Sequence, residues 1–331
     1  MSAAARRQRP FGPWSPQIGE PWVIAGPCSA ESLEQVLETA RALKADGHDV
    51  VVAVPCTNQS GMGAAAYFGS PLVPLADACR NGAAMPGDPG AGPMTRAGLP
   101  ANDFYYVAGT PVMATLYGID VVGQKRWGAA PDLVLSGPNE GQNVGAIILS
   151  SGTVSNAQYA AVRGVPAIAL SAGPNSTSRE NLENPVSQAV AQRTVELVRE
   201  LERTARGKQM LPDGLALNVN FPDNPEAAEW RLTRVGTYNA YAVSFTDNMA
   251  KTGSQMMRAM AREQGASIPE LPGLTIDMNA TRPSARQMND ESVVYKTSIA
   301  VSPMKAGYDT GSADASVLQN LLRRLFLTQG K

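Results

Sequence analysis

Apolar positions along the chain switch between two spacings. Short β-branched runs at Val23–Ala25 and Val50–Val54 have no polar interruption and read as strands buried on both faces. Between them Leu33, Val36, Leu37, Ala40 and Leu43 recur every three or four positions, which lines one face of a helix. Ser32 with Gln35 suits the start of that helix as a capping box, and Gly47 suits its end. Together they predict a β-α-β unit, which joins parallel strands by a right-handed crossover.

The alternation continues. Phe104–Val107, Leu133–Leu135 and Ala167–Leu170 read as strands; Val112–Val122, Ser155–Arg163 and the long Pro185–Arg206 read as helices. Repeated βα units predict an α/β fold with a doubly wound, mainly parallel sheet and ligands at the carboxyl ends of its strands. Residues 1–19 read as a loose arm and 20–236 as the core. Residues 237–290 lack a continuous core pattern and read as an extension or hairpin arm that packs on a partner subunit. Residues 291–331 supply a closing strand and a C-terminal helix over Asp314–Leu327. The Gly/Pro-rich stretch 81–100 reads as a long surface loop, either a lid or a plain insertion.

Composition narrows the function. The 331 residues are 44% hydrophobic and 17% charged, with a net charge of −1, so no basic field holds a nucleic acid polymer. A small anion needs only local donors. No apolar run reaches the ~20 residues of a membrane span, and no signal peptide is legible, so a cytoplasmic location is expected. The three cysteines, Cys28, Cys56 and Cys79, form an odd, sparse set without CxxC spacing, which argues against a disulfide framework or a structural zinc site. One histidine, His48, leaves little for triads or His-rich metal sites.

Three strand-end loops carry candidate chemistry. "VPCTNQSGMG" offers Asn58, Gln59 and Ser60 beside Gly61 and Gly63, a loop that is either a ligand contact or an ordinary turn. Gly109-Thr110-Pro111 reads as a structural strand-to-helix turn. "DLVLSGPNEGQNVGAIILSSGTVSNAQ" is the strongest: Asn139 and Asn143 alternate with glycines, and Ser151-Gly152-Thr153 stands at the head of a helix, where free N–H groups and the positive dipole end suit a phosphate.

The order "VPCTNQSGMG", "GTPVMATLYGI", "PDLVLSGPNEGQNVG…SSGTV…GVPAIALS", "LNVNFP" and "VGT" resembles the SurE family of metal-dependent nucleoside monophosphate phosphatases, over roughly residues 47–310. The resemblance implies a Rossmann-like core with a C-terminal arm that makes a homodimer or homotetramer. It also implies release of phosphate from 5′- or 3′-nucleotides with a divalent cation, Mg²⁺ or Mn²⁺. By position, Ser60 and Asn139 would be metal ligands. Ser151, Gly152 and Thr153 would hold the phosphate, with Asn58 and Asn143 nearby and Asn143, Ser151 and Thr153 in the catalytic set. "NDESVVYKTSIAVSPM" looks like the family's late strand, where Asp290 reads as structural.

One departure falls on the family's chief ligands. Its paired aspartates sit in a strand-end "TNDDG" turn, and here Pro27 and Cys28 stand in their place. The stretch "PWVIAGPCSAESLEQVLETARALKADG" instead resembles the first β-α unit of the 3-deoxy-arabino-heptulosonate-7-phosphate synthases. It lacks their Lys-Pro-Arg phosphate motif and histidine ligand, so synthase activity is rejected. Mg²⁺ and Mn²⁺ take hard, charged oxygens, whereas a Cys28 thiolate would favour Zn²⁺. Cys28 also reads as an inert thiol, and Glu31 as an exposed first-turn residue. Two readings follow: a nucleotidase with impaired turnover, or a non-catalytic protein that binds nucleoside monophosphates or other small phosphate esters.

Overall fold

A computed structural model describes residues 21–25, 33–99, 102–177, 184–263 and 267–307. Eleven strands are described: β1 Pro21–Ala25, β2 Asp49–Pro55, β3 Ala91–Pro93, β4 Phe104–Val107, β5 Leu133–Glu140, β6 Ala167–Ala172, β7 Leu215–Asn220, β8 Trp230–Leu232, β9 Tyr241–Thr246, β10 Gly273–Met278 and β11 Ile299–Lys305. The helices are α1 Leu33–Ala45, α2 Pro111–Tyr117, α3 Gln124–Trp127, α4 Gly152–Val162, α5 Pro185–Ala205, α6 Met249–Thr252, α7 Gln255–Glu263 and α8 Glu291–Val294.

Nine strands form one sheet in the order β3-β4-β2-β1-β5-β6-β7-β11-β8. From β4 through β7 every pairing is parallel; β3 joins β4 and β11 joins β7 antiparallel. The expected doubly wound sheet is therefore present. The chain runs outward from β1 through β2 to β4 and then returns to lay β5 on the other side of β1 (Ala25 pairs with both Ala53 and Ser136). That reversal is a topological switch point between β1 and β5, and ligands of such sheets bind at the carboxyl ends of the strands beside it.

Strand alternation sorts the core into two layers. Val50, Val52, Val54, Leu133, Leu135, Ile168 and Leu170 pack against Val36, Leu37, Ala40 and Leu43 of α1 and Val190, Val195 and Val198 of α5. Val51, Val134, Ala167 and Ala169 face Val154, Ala157, Ala160 and Ala161 of α4 and Ile119 and Val122. The small residues of α4 let that helix lie close to the sheet. β5 and β6 approach closely too: at Gly137 a Cβ would sit 2.2 Å from the Leu170 carbonyl oxygen, so no larger residue fits.

Several elements outrun the sequence pattern. The Val112–Val122 helix runs on as α2, a π-helical segment over Gly118–Gly123, and α3 to Trp127. There Arg126 pairs with Asp49 and Asp103, and the Trp127 indole N–H donates to Asp49 at 2.7 Å, at the amino ends of β2 and β4. The 133–135 strand extends to Glu140, and β9 and β10 pair antiparallel as a separate two-stranded sheet, with α6 and α7 between them in the chain. The Asp314–Leu327 helix and the 1–19 arm lie outside the described residues. No helix among the described residues is long and apolar enough to cross a membrane.

One expectation is overturned. Cys56 and Cys79 form a disulfide, with their Cα atoms 4.8 Å apart. The excursion from β2 folds back on itself: the Arg80 amide donates to the Cys56 carbonyl and the Cys56 amide to Val107, which sets the two cysteines side by side. Ala83, Ala84 and Tyr106 enclose the bond in a small satellite core.

Candidate phosphate site

The loop after β5 and the head of α4 are one continuous excursion. It leaves the sheet after Glu140, turns through residues 141–145, passes a 3₁₀ segment over Gly145–Ser150 and enters α4. Ser151 is the N-cap: its hydroxyl accepts the Val154 amide at 3.2 Å. Gly152 and Thr153 follow in the first turn, where no earlier helical carbonyl can take their amides. Ser151 and Thr153 are buried, and the Thr153 hydroxyl oxygen has no hydrogen-bond partner.

The loop after β2 is fastened to this excursion, because the Gly63 amide donates to the Ser150 carbonyl at 3.0 Å. Inside it, Asn58 closes an Asx turn by accepting the Ser60 amide at 2.8 Å, and both side chains are exposed. The Ala65 carbonyl accepts the Thr110 hydroxyl, which also caps α2. The structure thus brings the segments carrying Asn58, Ser60 and Ser151–Thr153 together at one end of the sheet.

Two predicted site residues are engaged by the protein itself, Asn139 within its own loop and Asn143 with the strands β6 and β7. The Asn139 amide nitrogen donates to the Gly141 carbonyl at 2.7 Å and the Glu140 carbonyl at 3.0 Å. Asn143 is buried: its amide nitrogen donates to the Ser171 hydroxyl at 2.8 Å, and its carbonyl accepts from Asn218 at 2.8 Å and Asn220 at 3.0 Å. Asn143 is the knot of the loop, and its side-chain oxygen is what it has left to offer a ligand. Asn218 and Asn220 were not singled out in the sequence, although "LNVNFP" holds the signal. Asparagines two apart on a strand share one face, and both reach the same carbonyl.

The electrostatics rest on neutral donors. Residues 56–63 and 139–153 hold no lysine or arginine, and their one charged residue is Glu140, whose carboxylate accepts the Thr177 hydroxyl at 3.0 Å. A phosphate there would meet backbone amides, hydroxyls and the positive end of α4.

Pro27, Cys28 and Glu31 lie outside the described residues. Among the described residues no group of three or more His, Cys, Asp or Glu side chains is arranged to hold a metal ion. Of the three residues assigned to the cation, Cys28 lies outside the described residues, and Ser60 and Asn139 are neutral. Mg²⁺ and Mn²⁺ draw their charge compensation from carboxylates, so the two described donors alone do not fit them.

The comparisons with known proteins agree with this architecture. The family model described as Survival protein SurE matches residues 28–242. The 5′-nucleotidase SurE of Thermosipho melanesiensis is 37% identical over 134 residues, 40% of this chain and 46% of that protein. An acid phosphatase of Yarrowia lipolytica is 32% identical over 186 residues, 54% of this chain and 51% of that protein. The 5′-nucleotidase SurE of Methylobacterium nodulans is 28% identical over 272 residues, 81% and 93% of the two chains. The chain spans about half the length of its Thermosipho and Fervidobacterium relatives. The crystal structure of the SurE protein from Aquifex aeolicus matches with a TM-score of 0.61 and 25% identity, over 91% of this chain and 99% of that one. Sheet order, strand-end loops and family match converge: the chain belongs to the SurE family.

Proposed function

We propose that this protein binds nucleoside monophosphates through their phosphate, as a SurE-type phosphatase whose turnover is weak. The observation that carries the reading is the head of α4. Its first-turn amides, capped by Ser151, lie on the excursion that holds Asn143 and that Gly63 ties to the β2 loop. The Gly152 and Thr153 amides would hold the phosphate oxygens, with Ser151, Asn143 and Asn58 around them. Relatives named 5′-nucleotidase and acid phosphatase support a phosphate ester as the ligand.

Hydrolysis asks for more than a grip. The attacking water must be activated and the charge on the transferring group neutralised. The described loops bring no lysine, arginine or carboxylate pair for these tasks, and by resemblance Pro27 and Cys28 stand in the positions of the family's aspartates. Binding without turnover is therefore the second reading, favoured by the neutral donor set.

The experiment measures phosphate release from AMP and GMP with Mg²⁺, Mn²⁺ or Zn²⁺, alongside equilibrium AMP binding. Saturable binding with slow release supports the proposal. Saturable binding with no release under any metal selects the second reading. No binding overturns both.

A further inference from the structure

Asp290 and Glu291 are adjacent and both fully buried, and their carboxyl groups reach opposite ways. Asp290 takes the amides of Thr237 at 2.9 Å and Tyr238 at 3.0 Å and pairs with the Arg234 guanidinium at 2.7 Å. Glu291 turns to the sheet. One carboxyl oxygen accepts the Gly145 amide at 3.2 Å and the other the Asn218 side-chain amide at 3.0 Å.

Those partners lead straight to the phosphate loop. Asn218 also donates to the Asn143 carbonyl, and Gly145 begins the 3₁₀ segment that delivers Ser151. Gly145 has φ +60°, and a Cβ there would lie 2.8 Å from the Asn239 side-chain oxygen and 2.9 Å from the Ser292 hydroxyl. The next amide, Ala146, donates to Asn239 at 2.7 Å. The turn over 143–146 is thus gripped from β7, from α8 and from the segment that leads into β9.

Every other contact in that grip joins neutral groups. Glu291 alone brings a carboxyl, and none of its hydrogen-bond partners is a cation. Burying a carboxyl without a cation is costly, and leaving out its hydrogen bonds is costlier. A neutral residue would fill the space at less cost, so the carboxyl is explained by what its two oxygens hold.

We infer that Glu291 is a positioning residue for the phosphate loop: it fixes the Gly145 amide and Asn218, and through them the path from Asn143 to the head of α4, without touching the ligand. With Asp290 it forms a two-way brace, one carboxyl on the loop and the other on the strap at 237–238 that leads to β9. The ligand-binding part of this inference rests on the function proposed above; the effect on the loop does not.

The test uses the full chain carrying Glu291→Gln or Glu291→Asp. Glutamine sets an NH₂ against the Gly145 amide or the Asn218 amide, donor against donor. Aspartate keeps the charge but draws it back by one methylene. Hydrogen exchange of the amides over 143–151 should accelerate about tenfold, the effect of losing one charge-assisted hydrogen bond. Exchange in α5 and β6 should stay as in the wild type, and AMP affinity should fall by about the same factor. Unchanged exchange over 143–151, or acceleration spread evenly through the chain, overturns the inference. If the wild type binds no AMP, the proposed function fails, and the exchange measurement still decides the role of Glu291.

Discussion

The Ser151 hydroxyl accepts the Val154 amide at 3.2 Å, so the side chain most easily assigned to a phosphate is engaged in starting α4. An N-cap and an anion compete for the same first-turn donors, and the cap leaves the Gly152 and Thr153 amides. Ser151→Ala should lower the unfolding free energy by about 1 kcal/mol, and Ser151→Gly by a few tenths. Denaturant unfolding of the three proteins checks this. Equal stability of the alanine and wild-type chains would mean that the cap contributes nothing.

The Cys56–Cys79 disulfide closes a loop of 23-residue separation that carries Asn58, Ser60 and Gly63. Loop closure of that length stabilises by about 3 kcal/mol in the chain-entropy account. Thermal unfolding with and without reductant should show a loss of that order, and thiol titration of the unreduced, unfolded chain should find one thiol out of three cysteines. Disulfides persist in oxidising compartments, which sets this bond against the cytoplasmic location expected from the N-terminal sequence. Three free thiols in protein taken from its native compartment would remove the bond from the account.

Asp290 and Glu291 should give opposite pH dependences. Against the upward push of burial, the Arg234 guanidinium and the Tyr238 and Thr237 amides hold the Asp290 carboxyl below its ordinary 3.8. Its contribution is full above that value and is lost as pH falls through the lower folded value. Burial pushes Glu291 above its ordinary 4.5, partly offset by hydrogen bonds from Ser302, Asn218 and Gly145. In the folded state it keeps its proton longer, so its contribution is present below 4.5 and is lost as pH rises through the raised value. Asp290→Asn should flatten the acid limb of stability against pH and cost about 1–3 kcal/mol near neutrality, since its NH₂ meets the Arg234 guanidinium. Unfolding curves at stepped pH check both signs; parallel curves for wild type and variant contradict them.

The two-stranded sheet carries an apolar face. Leu274 pairs with Phe245 and Ile276 with Val243, while the opposite face pairs the Ser244 and Thr275 hydroxyls at 2.9 Å. Phe245 is 73% exposed and Leu274 61%, and a contiguous patch of this kind is usually covered by a partner. A second copy of this chain is the expected cover. Phe245→Asp should shift the sedimentation of the protein toward the monomer; a wild type that already sediments as a monomer contradicts the arm's role.

Much of the core was legible because it repeats. Val50–Val54 of β2, β4 and the first residues of β5 and β6 are apolar runs, and the α1 and α5 faces follow helical spacing, so local pattern and tertiary burial agree. What the sequence hid depends on contacts between distant segments. Cys56 and Cys79 meet only because the intervening excursion folds back, and nothing in their spacing says so. Glu291 heads the stretch that resembles the family's late strand, but it lies in α8, and its burial follows from packing against β7 and the 145 turn. Asn139 and Asn143 were visible as amides in a glycine-rich loop. The hydrogen bonds of Asn139 to its own loop and of Asn143 to β6 and β7, which decide what they can offer a ligand, were not.

The most direct test is equilibrium titration of the wild-type chain with AMP in the presence of a metal chelator, with inorganic phosphate as competitor. The account predicts saturable binding that phosphate displaces and that Gly152→Pro, which removes a first-turn amide, abolishes. A protein that binds AMP only when a divalent cation is supplied, or not at all, would contradict a phosphate grip built from the neutral donors at the head of α4.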